Sequence, residues 1–291
     1  LTVGETYFLR DKNLFQLMQD QILGKWLPER FADQKKVSIW SVGCSTGEEA
    51  YSIAIVLNRL NYLYKDWQVN ILASDINKAF LDKARKGVYS LWSFRQTPQE
   101  IINRYFSKKG DNQYAISPEL KEKVSFFELN LADFSAYPNA LNKTNAVQVI
   151  LCRNVLMYFS AEIRRRVVSR LTSCLSPGAW FLVSPGEVHL INQPDLKAVQ
   201  YPGVTLFQKQ EQGVKEKKAQ KQTLQAESTG LGARKKIRKT RGLSRQNQQD
   251  FARHEKSPFN KDKQALNHNL YNRAWEFYEQ GKYNDAIYEL Y

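Results

Sequence analysis

Two adjacent carboxylates, Glu48 and Glu49, follow a glycine-bracketed loop, Gly43-Cys44-Ser45-Thr46-Gly47. A third acid, Asp75, ends an apolar run 28 residues beyond Gly47. Further along, Arg153 and Asn154 stand directly behind the apolar stretch Ala146 to Cys152, where packing gives them no reason to be, and Tyr158 follows four residues later. Near the start, Arg10 closes the segment Thr6-Tyr7-Phe8-Leu9-Arg10. Its guanidinium has the geometry to grip a carboxylate with two parallel hydrogen bonds, though a surface arginine satisfies the local sequence equally well. The three cysteines, Cys44, Cys152 and Cys174, have neither metal-ligand nor disulfide spacing and suit a reducing cytoplasm.

These residues need elements to hold them. Val37, Ile39, Trp40 and Val42 form a short apolar run rich in β-branched residues, which predicts a buried strand. After the loop, Ala50, Ile53, Ala54 and Leu57 recur at helical spacing. Strand, glycine loop and helix make the first unit of a nucleotide-type α/β fold. The loop is not G-x-G-x-x-G, and no Gly-Lys-Ser/Thr follows. Two acids at the helix N-terminus suit its dipole but repel a pyrophosphate. A ligand with an amino group and a sugar, and no phosphate, fits better, and S-adenosylmethionine is such a ligand; a plain tight turn is the alternative.

Val69 to Asp75 predicts a second strand with a helix over Ile76 to Lys86, so Asp75 sits where ribose hydroxyls are taken in such folds, or else caps that helix. The region from Gly87 to about Val124 breaks the alternation. It is aromatic, and YFSKKGDNQYAIS predicts a hairpin, hence a small inserted antiparallel subdomain. Val124, Phe126 and Phe127 return to the sheet and leave Asn130 and Leu131 at its carboxyl end. Ser160 is expected to cap a helix that buries Ile163, Val167, Val168 and Leu171 and closes near Ser176-Pro177-Gly178. Ala179 to Ser184 and Gly203 to Gln208 supply the last strands, the final one reversed. Ahead of all these, Phe15, Leu17, Met18 and Ile22 predict an amphipathic helix capped by Asp11 or Asn13. The fold class is α/β: a doubly wound, mostly parallel sheet with a small antiparallel insert.

The formal charge of +14 suggests nucleic acid until it is mapped. Residues Lys209 to Lys263 hold 16 Lys and Arg against 6 Asp and Glu, a net of +10, which leaves only +4 for the rest. That segment lacks the apolar surface to fold and is expected to be a disordered linker, 209–263, whose nucleic-acid binding would be weak and sequence-indifferent. Residues 264–291 have the small and aromatic spacing of one partial tetratricopeptide-like repeat, expected to continue beyond Tyr291 and to bind further protein partners. No run of 18 apolar residues predicts a membrane span. The chain as a whole is 42% hydrophobic, and residues 1–208 are long enough for one packed domain.

Taken together, TYFLR, SVGCSTGEEAYSIAI, ASDIN, the Asn130-Leu131 pair and CRNVLMYF occur in an order that resembles the CheR family of chemotaxis-receptor methyltransferases over roughly residues 2–208. The resemblance implies S-adenosylmethionine as cofactor, S-adenosylhomocysteine as product, and glutamates of a chemoreceptor cytoplasmic domain as substrate. It implies a cofactor pocket of Thr6, Arg10, Gly43, Glu48 or Glu49, Asp75, Asn130, Leu131, Arg153 and Asn154, with Arg10 and Tyr158 nearest the transferred methyl, a receptor-contacting β-subdomain, and no metal. A small helical domain is expected upstream of Leu1, and the whole to be a cytoplasmic monomer. The family's T-x-F-F-R stands here as TYFLR, and its G-H-S-E as Ser184-Pro185-Gly186-Glu187. A SAM-binding adaptor and a nucleic-acid methyltransferase using the basic linker are the competing readings.

Overall fold

A seven-stranded sheet carries the molecule, and its strand order places the chemistry. The computed structural model describes residues 5–139, 141 and 143–211; the expected repeat and nearly all of the expected linker lie outside the described residues. Strands β1 (Lys36–Val42), β2 (Gln68–Asp75), β6 (Val124–Glu128), β7 (Val147–Cys152), β8 (Leu175–Leu182), β9 (Leu196–Tyr201) and β10 (Val204–Lys209) lie in the order β6-β2-β1-β7-β8-β10-β9. All neighbours are parallel except those of β10, which runs against both β8 and β9. The order reverses between β1 and β7, and in open α/β sheets ligands bind beyond the strand carboxyl ends at that reversal.

The period-two alternation of β1 divides the core. Val37 and Ile39 face a cluster shared with α3 (Glu48–Arg59), while Trp40 and Val42 face one shared with α7 (Ala161–Cys174). Both faces of the sheet are therefore covered, as a parallel sheet requires. The insert is a second sheet of β3 (Val88–Ser90), β5 (Gln113–Ile116) and β4 (Phe106–Lys108), all antiparallel, with the β4–β5 hairpin where the sequence indicates it.

Four expectations need correction. The first helix is not one regular element: α1 (Lys12–Leu17) passes into π-helical turns over Met18–Trp26 and then α2 (Leu27–Phe31), although Asp11 is its cap. The helix α7 stops at Cys174, and β8 begins at once; the Ser176-Pro177-Gly178 turn is an irregularity inside β8, where the register against β7 shifts. Strand β9 is an addition to the expected strands: only Leu196 of its six residues is buried, and its apolar residues Leu196, Ala198, Val199 and Tyr201 do not keep a strict alternation. The basic segment does not begin at Lys209: β10 runs through that residue, and Glu211 pairs with Arg30 at 2.5 Å. Among the described residues no helix is long and apolar enough to cross a membrane.

Candidate active site at the sheet's switch point

The N-terminal motif is fixed by its phenylalanine. Phe8 is fully buried and packs on Phe94 (4.9 to 5.0 Å class contacts with Tyr89 and Phe94) and on Phe106 at 4.8 Å, so the motif is plugged into the small sheet. The Phe8 and Leu9 amides donate to Ser93 O and Ser52 Oγ. This holds Tyr7 and Arg10 over the carboxyl ends of the main strands. Arg10 donates to Glu5 O at 3.1 Å, and no carboxylate lies within ion-pair distance of it among the described residues. Thr6 is half-buried just ahead of this plug.

The β1 loop is shaped by backbone rather than by a ligand. Gly43 (φ +69°) and Gly47 (φ +94°) both adopt left-handed conformations, and a Cβ on Gly43 would stand 2.4 Å from Val155 Cγ2. The Gly43 and Cys44 amides donate to Ser74 O. Asp75, only 8% exposed, closes the loop: one carboxylate oxygen accepts from Ser45 N and the other from Asn77 N, both at 2.8 Å. Asp75 does not cap α4 (Lys78–Lys86); Asn77 does. Each Asp75 oxygen keeps a lone pair for a further donor.

The two adjacent acids part company. Glu48 is 2% exposed and turned toward the insert, accepting from Thr46 Oγ1 at 2.6 Å and Ser93 Oγ at 3.0 Å. Burial pushes its pKa up, and those hydrogen bonds oppose the shift. Glu49 turns to the strand ends, accepting from Ser41 Oγ at 2.7 Å and from Arg153 at 3.1 Å. Arg153 in turn lies 3.6 Å from Asp11, and its Nε is buried with no partner.

Arg10, Arg153 and Asn154 meet in a cleft of about 280 Å³ that Tyr7, Asp11, Gln96 and Met157 also line. Thr6, Gly43, Glu48, Glu49, Asp75, Asn130 and Leu131 do not line it. Asn130 is exposed beyond β6, where its side chain accepts from Ala132 N, and Leu131 is buried beside it. Tyr158 is 60% exposed and follows the cleft residue Met157 without lining the cleft itself. Asp11 and Glu187 were missed as site residues. Asp11 reads as a cap, which it also is; Ser184-x-x-Glu187 has the spacing of a capping box, which it also forms, and that local signature does not reveal the bonds from Glu187 to residues 154–157.

The residues present fit S-adenosylmethionine. Two buried polar atoms without partners, Arg153 Nε and Ser45 Oγ, lie on the two loops that flank the switch point. A carboxylate suits the first, and Asp75 offers acceptors suited to sugar hydroxyls. All three cysteines are buried; burial, reinforced by Asp75 and Glu49, pushes the Cys44 thiol well up, and burial with Glu187 and Glu49 does the same to Cys152, which disfavours the thiolate. Among the described residues no group of three or more His, Cys, Asp or Glu is placed to hold a metal.

Comparison with known proteins agrees with this chemistry. Residues 4–202 match the family described as CheR methyltransferase, SAM binding domain. The chain is 33% identical over 187 residues to chemotaxis protein methyltransferase 2 of Vibrio cholerae serotype O1, a match covering 64% of this chain and 63% of that protein. It is 32% identical over 199 residues to chemotaxis protein methyltransferase 1 of Pseudomonas aeruginosa, covering 67% and 69%. With the Borreliella burgdorferi chemotaxis protein methyltransferase it shares 31% identity over 195 residues, covering 64% and 65%. The chain thus spans a little under two thirds of the length of the first of these relatives. Over its sheet and the loops at the switch point, the chain belongs to the CheR family of SAM-binding methyltransferase domains.

Proposed function

We propose that this chain transfers a methyl group from S-adenosylmethionine to glutamate side chains of a chemoreceptor cytoplasmic domain, forming methyl esters. The observation that carries the reading is the cleft in which Arg10 and Arg153 converge beside the switch point, with Arg10 free of any carboxylate partner among the described residues.

A glutamate side chain, with an unperturbed pKa of about 4.3, is already ionised at neutral pH, so no general base is needed to make the nucleophile. When bound, the cofactor would supply an electrophilic methyl on sulfur for that carboxylate to accept, with the sulfur as leaving group. The chain's work is alignment, for which positioning supplies up to ~7–11 kcal/mol. Arg10 clamps the incoming carboxylate. The Tyr158 hydroxyl, exposed beside the cleft residue Met157, orients it. Asp75 takes the ribose hydroxyls, and Arg153 Nε the cofactor carboxylate. Glu49 holds Arg153 in place, while Thr6, the Gly43 backbone, Asn130, Leu131 and Asn154 complete the enclosure.

Substrate reaches this cleft past the insert, whose Leu91 and Trp92 are about half exposed. Arg95 lies over the rings of both Tyr7 (3.9 Å) and Trp92 (4.5 Å), an apolar and cationic strip suited to an acidic helical surface. The remainder of the basic segment, 212–263, is proposed as a tether and 264–291 as a partner-binding repeat. The test is a filter assay with labelled cofactor, offered a receptor cytoplasmic domain or RNA. Label on the receptor, released by mild base as a methyl ester is, supports the reading. Label on RNA, or on neither, overturns it.

A further inference from the structure

Glu187 is fully buried, forms no ion pair among the described residues, and accepts hydrogen bonds from a run of consecutive backbone amides. One carboxylate oxygen takes Val155 N and Leu156 N, both at 2.8 Å, and Met157 N at 3.4 Å. The other takes Asn154 N at 2.7 Å, Ser184 Oγ at 2.6 Å and Ser184 N at 3.3 Å. Four successive N–H groups converge on one anion because Asn154 is left-handed (φ 56°), which turns the chain into a nest. Burying a carboxylate without a counter-cation is costly unless donors of this number satisfy it.

The segment so held is the one that follows Arg153 and leads to Tyr158. Arg153 has anchors of its own in Glu49 and Asp11. Asn154, Met157 and Tyr158 do not: the Tyr158 amide donates to Val155 O, inside the same turn. Val155, in the middle of the nest, presses against Gly43. We propose that Glu187 is the positioning residue of the site: by gathering the amides of 154–157 it sets where Asn154 and Tyr158 stand, without touching substrate or cofactor. The proposal rests on the methyl-transfer reading above for its catalytic consequence, and on the hydrogen bonds alone for its structural one.

Glutamine is not a neutral replacement. Whichever way its amide turns, an NH2 faces three donors. In Glu187→Gln, amide exchange at 154–157 should therefore quicken about tenfold or more while the sheet amides are unchanged. Turnover with receptor should fall about tenfold or more; S-adenosylhomocysteine affinity should weaken as well, because Asn154 belongs to the cofactor enclosure, but by less than turnover, because Arg153 keeps its anchors. Adding Tyr158→Phe to this variant should cost nothing further, the non-additivity expected of a shared device. Glu187→Asp keeps both oxygens and should recover part of both effects; if the Gln variant does not unfold cooperatively, the Asp variant is measured in its place. Unchanged exchange, or lowered thermal stability with wild-type turnover, overturns the proposal. A wild-type chain that binds S-adenosylhomocysteine yet methylates no receptor sinks the proposed function instead, and amide exchange then decides on Glu187 by itself.

Discussion

Two loops meet at the switch point, one after β1 and one after β7, and a single buried carboxylate organises each. Asp75 ties Ser45 N to Asn77 N across two neighbouring parallel strands. Glu187 gathers four amides of one loop from a turn after β8. The first carboxylate retains lone pairs for a ligand and lies at a strand end; the second is fully enclosed by protein donors. The same chemical group therefore serves a binding role in one loop and a shaping role in the other, and the difference is how many of its acceptor sites the backbone already occupies.

The loops touch where Val155 packs on Gly43, and that contact is the place to break the comparison with the largest effect. Gly43→Ala should destabilise by about 2–5 kcal/mol, from ~1–2 for the left-handed backbone and ~1–3 for the Cβ forced against Val155. In the Val155→Ala background the second part should be recovered. Denaturant unfolding measures both. Gly186, whose added Cβ would meet nothing within 4 Å, is the control and should tolerate alanine within about 0.5 kcal/mol. A Gly43→Ala cost unchanged by the Val155→Ala background would mean the loops are not in contact.

Next in size is Asp75→Ala. Losing a charged hydrogen-bonding partner costs about 1.5–3 kcal/mol, so S-adenosylhomocysteine should bind about 10-fold to 150-fold more weakly by calorimetry. Unchanged affinity would leave Asp75 as a loop tie only. Tyr158→Phe sharpens the other side. It removes only a hydroxyl, and turnover should drop about tenfold with cofactor affinity unchanged. Wild-type turnover in that variant would strip the hydroxyl of its role.

The smallest effect separates Glu48 from Glu49. Burial raises the Glu48 pKa, so the folded state holds its proton more tightly than the unfolded chain does. Its contribution to stability is most favourable below the ordinary carboxylate range, and declines as pH rises from there through the raised folded value. Glu48→Gln should remove that decline from the thermal-unfolding profile, seen as a difference in slope against wild type. Superimposable profiles would show that Glu48 does not titrate differently on folding.

How much of this was legible follows from where each signal sits. The β1 loop declares itself locally: apolar strand, glycines that tolerate positive φ, then helical spacing, all within residues 36–57. The hairpin at 106–116 declares itself by its Gly-Asp-Asn turn. The divergence of Glu48 and Glu49 does not, because adjacent helical positions differ by about 100°, and which of them meets solvent depends on where the insert packs. The Glu187 nest joins residues some 30 positions apart through backbone amides, which have no side-chain signature. Strand β9 is half-exposed along an edge; Leu196, Val199 and Tyr201 are apolar, but their spacing follows no strict period-two alternation, so the strand does not announce itself. The π-helical turns at Met18–Trp26 leave one mark in the sequence, Gly24, where an added Cβ would collide with the Gln19 carbonyl oxygen; a lone glycine in an apolar helical pattern does not by itself announce such turns.

The central claim is that both loops enclose one cofactor site. Hydrogen exchange of the whole chain with and without S-adenosylhomocysteine tests it most directly. Slowed exchange is predicted at 43–47, at 75–77 and at 153–157 together, with α7 and the β9 edge unaffected. Protection confined to the β1 loop, or spread to α7 while 153–157 stays unchanged, would contradict a shared site.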